Sequence, residues 1–125
     1  NTEKGDCFHC HASQLFMDNQ FHNNGLDIEP FLDLGRAKVT LNALDNGKFK
    51  TPTLRNIEMS APYMHDGRFA SLEEVVEHYN SGGKYSTTID PLMKKLGVGL
   101  QLTNQEKIDL VAYLKTLTDN EFITQ

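Results

Sequence analysis

The run Gly5-Asp6-Cys7-Phe8-His9-Cys10-His11 holds both cysteines of the chain and two of its five histidines. Two thiols at C-x-x-C spacing can close a redox disulfide, supply half of a zinc site, or take a haem through thioether bonds. The next residue separates these readings. A histidine directly after the second cysteine completes C-x-x-C-H, in which the thiols attach to the haem vinyl groups and the adjacent imidazole faces the iron. A redox dithiol belongs in a βαβ context, and residues 1–20 do not alternate like a strand. Zinc needs two further ligands, and His22 is the one nearby candidate. Haem attachment is therefore the preferred reading, with Cys7 and Cys10 as thioether donors and His11 as iron ligand.

The rest of the composition is compatible with a prosthetic group. At 125 residues the chain fits one domain, 1–125, with one core. Its 38% hydrophobic content is modest, and a bound apolar group would supply part of the core. A net charge of −5 lacks the basic footprint of a nucleic-acid binder. No run of about 18 apolar residues is present to span a membrane. The chain opens directly on "NTEKGDCFHCH", without a signal peptide, which reads as a processed or excised fragment rather than a complete gene product.

Along the chain, residues 3–17 read as a short helix carrying the cysteines, with Leu15 and Phe16 on its apolar side. From Asp18 to Thr51 the sequence is rich in Asn, Gly and Asp, as in "HNNGLD" and "LDNGKFKTP". These are turn signals, and they predict loops with at most one helical turn. So long a loop is unusual unless something organises it, and a haem with polar propionates can. Ser71-Leu72-Glu73-Glu74 is a capping box that predicts a helix from about Leu72 to Asn80, ended by Gly82-Gly83. Thr103-Asn104-Gln105-Glu106 is a second capping box, before a helix with Ile108, Val111, Leu114 and Leu117 on one face. No convincing alternating strand appears. The expected class is all-α, with few helices and long loops around one covalent haem.

An iron held by His11 on one side has on its other side either a second ligand or an open position. Met, His and Tyr are the usual partners, and the choice shifts the potential widely. Met59, Met64, His65, His78 and Tyr79 are candidates, and spacing alone does not choose among them. Each also has an ordinary role: a Met fills core space, and a His sits on a solvated helix face.

Three further blocks, "FHNNGL" (21–26), "FKTPTLRNIEMSAPYMHDGRF" (49–69) and "SLEEVVEHYNSGG" (71–83), occur in this order behind C-x-x-C-H. Together they resemble the C-terminal haem domain of bacterial di-haem cytochrome c peroxidases and the related MauG-type enzymes, over almost the whole chain. The resemblance implies one heme c on Cys7 and Cys10, with His11 proximal. It implies Tyr79 as the distal ligand, because MauG-type enzymes carry a Tyr where the peroxidases carry a Met; Met64 is the alternative. Arg55 becomes a candidate propionate partner, where a guanidinium fork suits a carboxylate; its ordinary role is a surface Arg paired to Glu58. His65 and Asp66 of "HDG" form either a hydrogen-bonded pair near the haem edge or a turn ending at Gly67. Main-chain carbonyls around Ser60 and Pro62 would help hold a calcium ion against the N-terminal haem domain.

The function so implied is electron transfer, to or from a second haem where peroxide is reduced. The partners implied are the N-terminal haem domain of the same parent and a small electron-donor protein or protein substrate, in the periplasm. The chain carries a single attachment motif, so low peroxidase activity is expected of it alone. Two other readings stay open: a stand-alone monohaem peroxidase with a distal site that opens, and a non-haem zinc module using Cys7, Cys10 and His22.

Overall fold

The structure, a computed structural model, describes residues 4–123. Its best-packed part is a pair of helices, α3 (Leu72–Ser81) and α4 (Asn104–Lys115). Both capping boxes close as the sequence predicts. Ser71 and Thr103 accept N–H bonds from Glu74 and Glu106, and each glutamate side chain returns to the N-cap backbone. Gly82 ends α3 in a left-handed conformation, φ 88°, and bonds its N–H to the Tyr79 carbonyl at 3.1 Å. A Cβ at Gly82 would collide with the Lys95 carbonyl, so no other residue fits there without a shift.

Where α3 meets α4, Leu72, Val76, Val111 and Leu114 are buried together with Tyr63. Leu54, Ile57, Phe69, Leu110 and Leu117 pack around them. The face predicted on α4 thus holds at Val111, Leu114 and Leu117 but not at Ile108, which is 61% exposed. Ile108 sits one turn before Ala112 at the mouth of the groove between the two helices, beside Glu73, Glu77 and Lys107.

The first third is built differently. A single turn, α1 (Phe8–His11), carries the cysteine motif. The helix expected over 3–17 is therefore corrected to these four residues, with Glu3 outside the described part. Asp6 and Phe16 both take left-handed φ values, 53° and 52°, which bracket the turn. Beyond it, the Ser13 hydroxyl bonds to the main chain of Met17, on its N–H at 3.2 Å and on its carbonyl, which competes with helical pairing. Leu15 is correspondingly half exposed rather than packed on an apolar side.

From 18 to 51 the chain runs as loops, as expected, with one α-helical turn, α2 (Ala37–Thr40), and a 3-10 turn at Ala43–Asp45. It also pairs two very short strands, β1 (Phe21–His22) and β2 (Phe49–Lys50), antiparallel with Phe21 opposite Lys50 and His22 opposite Phe49. A further 3-10 turn (Ile57–Met59) leads into the Tyr63–Phe69 bridge, and α5 (Asn120–Ile123) ends the described chain. The class is helical with long loops, as the sequence indicates. Among the described residues no helix is long and apolar enough to cross a membrane.

Candidate functional site

On α1 the C-x-x-C spacing places Cys7 and Cys10 three residues apart, on one side of a single turn. Both thiols are free. Cys7 is exposed and donates to the Gly5 carbonyl at 3.3 Å. Cys10 is half-buried, and burial, helped by the carboxylates of Asp18 and Asp90, pushes its thiol up to about 11. His11 Nδ1 lies 2.7 Å from the Phe16 carbonyl oxygen. A carbonyl only accepts, so Nδ1 carries the proton and Nε2 is left with its lone pair, the state in which a neutral imidazole ligates metal.

The loop that follows α1 is strapped down by the "TPTLRN" block. Thr53 Oγ1 donates to the Leu15 carbonyl at 2.5 Å, and Arg55 donates to the Gln14 carbonyl at 3.0 Å. Arg55 is exposed, beside the attachment segment, with that carbonyl rather than Glu58 as its partner. The block thereby fixes the Phe16 carbonyl that orients His11.

Five side chains were candidates for the opposite face, and the structure separates them. Met59 is 62% exposed. His65 is exposed and stacks on the Phe49 ring, with centroids 3.6 Å apart. His78 is largely enclosed and donates from Nε2 to the Asn24 carbonyl at 2.9 Å; burial holds its imidazole below the ordinary histidine range. The remaining two, Tyr79 and Met64, meet at one group. Asn24 Nδ2 donates to Tyr79 Oη at 3.1 Å and to Met64 Sδ at 3.7 Å. Burial pushes the Tyr79 phenol up, the Asn24 N–H works against that, and charge on Cys7 or Cys10 works with it. The cysteine turn and Tyr79 therefore lie within electrostatic reach of each other.

The "HDG" block forms the turn, not the histidine–aspartate pair. Gly67 donates its N–H to the Met64 carbonyl at 3.3 Å, and Asp66 is taken by Arg68. Arg68 also makes a two-pronged bond to Asp27, at 2.9 and 2.7 Å, and so ties this turn to the segment after "FHNNGL". Ser60 and Pro62 are exposed, and the Ser60 hydroxyl donates to the Ile57 carbonyl at 2.9 Å.

Four residues central to this arrangement escape sequence reasoning: Asn23, Asn24 and the two partners of His22, Asp18 and Asp90. Asn23 is 2% exposed, donates to Ser86 and Thr88 at 3.0 Å each, and accepts from Gly25 N–H at 3.0 Å. His22 stands between two carboxylates, with Nδ1 2.5 Å from Asp90 and Nε2 2.7 Å from Asp18. Burial acts to lower its imidazole, and the two carboxylates outweigh that and raise it. The double asparagine signalled only a turn, since asparagine serves turns and buried hubs alike. Asp18 lies only 4 positions from His22 but Asp90 lies 68 away, so local spacing alone does not reveal the cluster.

The zinc reading has a partial counterpart here. Cys10, Asp18 and His22 place potential ligand atoms within 4.8 Å of one another, but Cys7 is not in the group. Both nitrogens of His22 are engaged by carboxylates, so the histidine acts as a cationic tie between loops.

No family model matches the chain. Among known proteins, the methylamine utilization protein MauG of Methylorubrum extorquens is 40% identical over 118 residues, which is 93% of this chain and 32% of that protein. The cytochrome-c peroxidase IdrP1 of a Pseudomonas strain is 35% identical over 147 aligned positions, 94% of this chain and 38% of that protein. The chain thus spans about a third of the length of the curated relatives it matches. The crystal structure of a MauG-like protein associated with microbial copper homeostasis superposes with a TM-score of 0.85 at 39% identity, covering 97% of this chain and 45% of that one. The diheme peroxidase BthA from Burkholderia thailandensis shares the fold, with a TM-score of 0.72 at 22% identity, over 96% of this chain and 40% of that one. By sequence and by fold, the chain is a relative of the MauG and cytochrome c peroxidase proteins, matching a segment that makes up about a third of each curated one.

Proposed function

We propose that residues 1–125 form one c-type haem domain that passes single electrons to or from a second haem elsewhere in a larger parent protein, where peroxide is reduced. Cys7 and Cys10 would bind the haem vinyl groups, His11 would hold the iron on one side, and Tyr79 on the other, with Met64 as the alternative. When bound, the haem supplies a one-electron couple whose potential its axial ligands set. The observation that carries the reading is the His11 Nδ1–Phe16 carbonyl bond on the turn that bears both cysteines, because it leaves Nε2 for a metal. The Tyr79 hydroxyl, held by the Asn24 amide, supports the ligand choice. The donor set fits the group: two free thiols on one helical turn, an oriented imidazole, and an oxygen and a sulfur donor gathered on one amide.

What this chain's residues contribute is positioning. Thr53 and Arg55 fix the loop that orients His11, and Arg55 would bond a haem propionate. The main-chain carbonyls at Ser60 and Pro62 would join a calcium site completed by the partner domain, and His65 would sit at the haem edge. A phenolate favours ferric iron and lowers the potential relative to a thioether. Cytochrome maturation places such a domain in the periplasm.

The test is covalent haem. Chain produced with cytochrome c maturation should be red, and its haem should stay with the polypeptide through acid-acetone extraction; Cys7→Ala/Cys10→Ala should abolish retention. A colourless chain that binds zinc would sink the reading. The haem-loaded chain alone should reduce peroxide only very slowly, and rapid turnover would instead make it a stand-alone peroxidase.

A further inference from the structure

Two side chains of different chemistry converge on one amide. Asn24 Nδ2 reaches both Tyr79 Oη, at 3.1 Å, and Met64 Sδ, at 3.7 Å. A primary amide has two N–H donors, so one nitrogen serves an oxygen and a sulfur at once. Asn24 is itself held in place, because its main-chain carbonyl accepts from His78 on α3 and the preceding Asn23 is buried and bonded on both ends of its amide. The amide is thus a fixed fork aimed at two donor atoms that arrive from separate parts of the chain.

Met64 reaches the fork at a cost. Its φ is 72°, in the left-handed region that side chains rarely adopt. The turn it belongs to is closed without the Met64 side chain, by Gly67 N–H to the Met64 carbonyl, Tyr63 N–H to the Phe69 carbonyl at 2.8 Å, and the bonds of Arg68 to the Asp66 carboxylate. Glycine would take the same φ without strain and keep every one of those bonds. The turn therefore has no use for a methionine. What the strained backbone does achieve is to bring a sulfur atom to the group that already holds the Tyr79 hydroxyl.

We propose that Asn24 is a positioning residue that presents Tyr79 Oη and Met64 Sδ to a single ligand position, making Met64 the reserve donor when the phenol is absent. The proposal rests on the haem reading above. It places a hard oxygen donor and a soft sulfur donor side by side, two classes that differ in the metal states they favour. Neither needs to travel far to replace the other, since both already lie within hydrogen-bonding reach of one nitrogen.

The experiment uses the haem-loaded chain in its ferric state, followed by visible and near-infrared absorption and by electron paramagnetic resonance. Tyr79→Phe should stay low-spin and gain the weak near-infrared band of sulfur bound to ferric iron. Adding Met64→Leu to it should remove that band and give a high-spin haem. Asn24→Asp keeps the size and the main-chain bond to His78 but lacks the donating NH2 group, so Tyr79→Phe with Asn24→Asp should lose the band as well. Circular dichroism on the same samples separates this from unfolding, and Asn24→Asp with both ligands intact should keep its helical signal. A high-spin Tyr79→Phe protein, with Asn24 and Met64 in place, overturns the shared ligand position. A sulfur band that persists undiminished in Tyr79→Phe/Asn24→Asp overturns the role of Asn24. Both of those failures occur in a red protein, whereas a chain that takes up no haem overturns the haem reading and this proposal with it.

Discussion

Around α3 and α4 the buried side chains are Tyr63, Leu72, Val76, Val111 and Leu114; between Lys4 and Thr51 they are Leu26, Ala37, Asn23 and Thr51. One region is closed by apolar packing between two capped helices. The other is closed by polar ties: Asn23 to Ser86 and Thr88, His22 to Asp18 and Asp90, Arg68 to Asp27, and Thr53 and Arg55 to the carbonyls after α1. Several large apolar side chains of the second region, Leu32, Val39, Leu41 and Leu44 among them, stay on the surface. Hydrophobic burial is the main favourable term in folding, so a region with so little of it relies on directional bonds and on whatever fills the space they enclose. That is the arrangement expected where a bound group, and not side chains alone, completes the interior.

The contrast breaks most visibly at Leu114. Leu114→Ala removes a buried branch from the cluster shared by both helices and should cost about 2–5 kcal/mol, read as a lowered denaturation midpoint. Amide exchange should speed up along α3 and α4 together. A cost below 1 kcal/mol would mean that the helix pair is not the apolar half of the molecule.

Asn23→Ala sharpens the other side. It deletes two donors to Ser86 and Thr88 and one acceptor for Gly25 N–H inside a nearly inaccessible pocket, and should cost about 1–3 kcal/mol. Its exchange signature should be confined to the loops at 20–26 and 84–90, with α4 protected as before. Opening of α4 at the same rate would show that the two regions unfold as one unit.

The same division explains what could be read from residues alone. Ser71, Glu74, Thr103 and Glu106 announced α3 and α4, because a capping box is a local bond between residues three apart. Cys7, Cys10 and His11 were legible for the same reason, since the chemistry is written in five consecutive positions. The helix expected around them was not, because Phe16 adopts a left-handed φ and Ser13 bonds back on the chain, events set by where Thr53 and Arg55 pull the loop. Ile108 follows helical periodicity but lies past the edge of the α3 contact, which no period reveals. Asn24 was invisible as a functional residue. Its partners lie 40 and 55 positions away, and an asparagine before glycine reads as a turn.

The smallest effect expected is one of pH, and it turns on two histidines that shift in opposite directions. The carboxylates of Asp90 and Asp18 raise His22 above its ordinary 6.5, against the pull of burial; burial lowers His78, against the pull of the Asn24 carbonyl. A raised histidine stabilises the fold fully below pH 6.5, and that contribution is lost as pH climbs through its folded value. A lowered histidine does the reverse: its contribution is complete above 6.5 and is lost as pH falls, because only the unfolded chain takes up the proton. Asp18, lowered despite its burial by the Gln20 N–H, Thr51 and His22, adds its own loss only below its ordinary 3.8. Stability should therefore peak near pH 6.5, with an alkaline limb that belongs to the polar region and a mildly acid limb that belongs to the contact between α3 and Asn24. His22→Gln should flatten the alkaline limb, as pH rises above 6.5, and leave the mildly acid one in place. Melting temperatures measured across that range check it, and an alkaline limb that survives the substitution would move its origin away from the tie between β1 and Asp90.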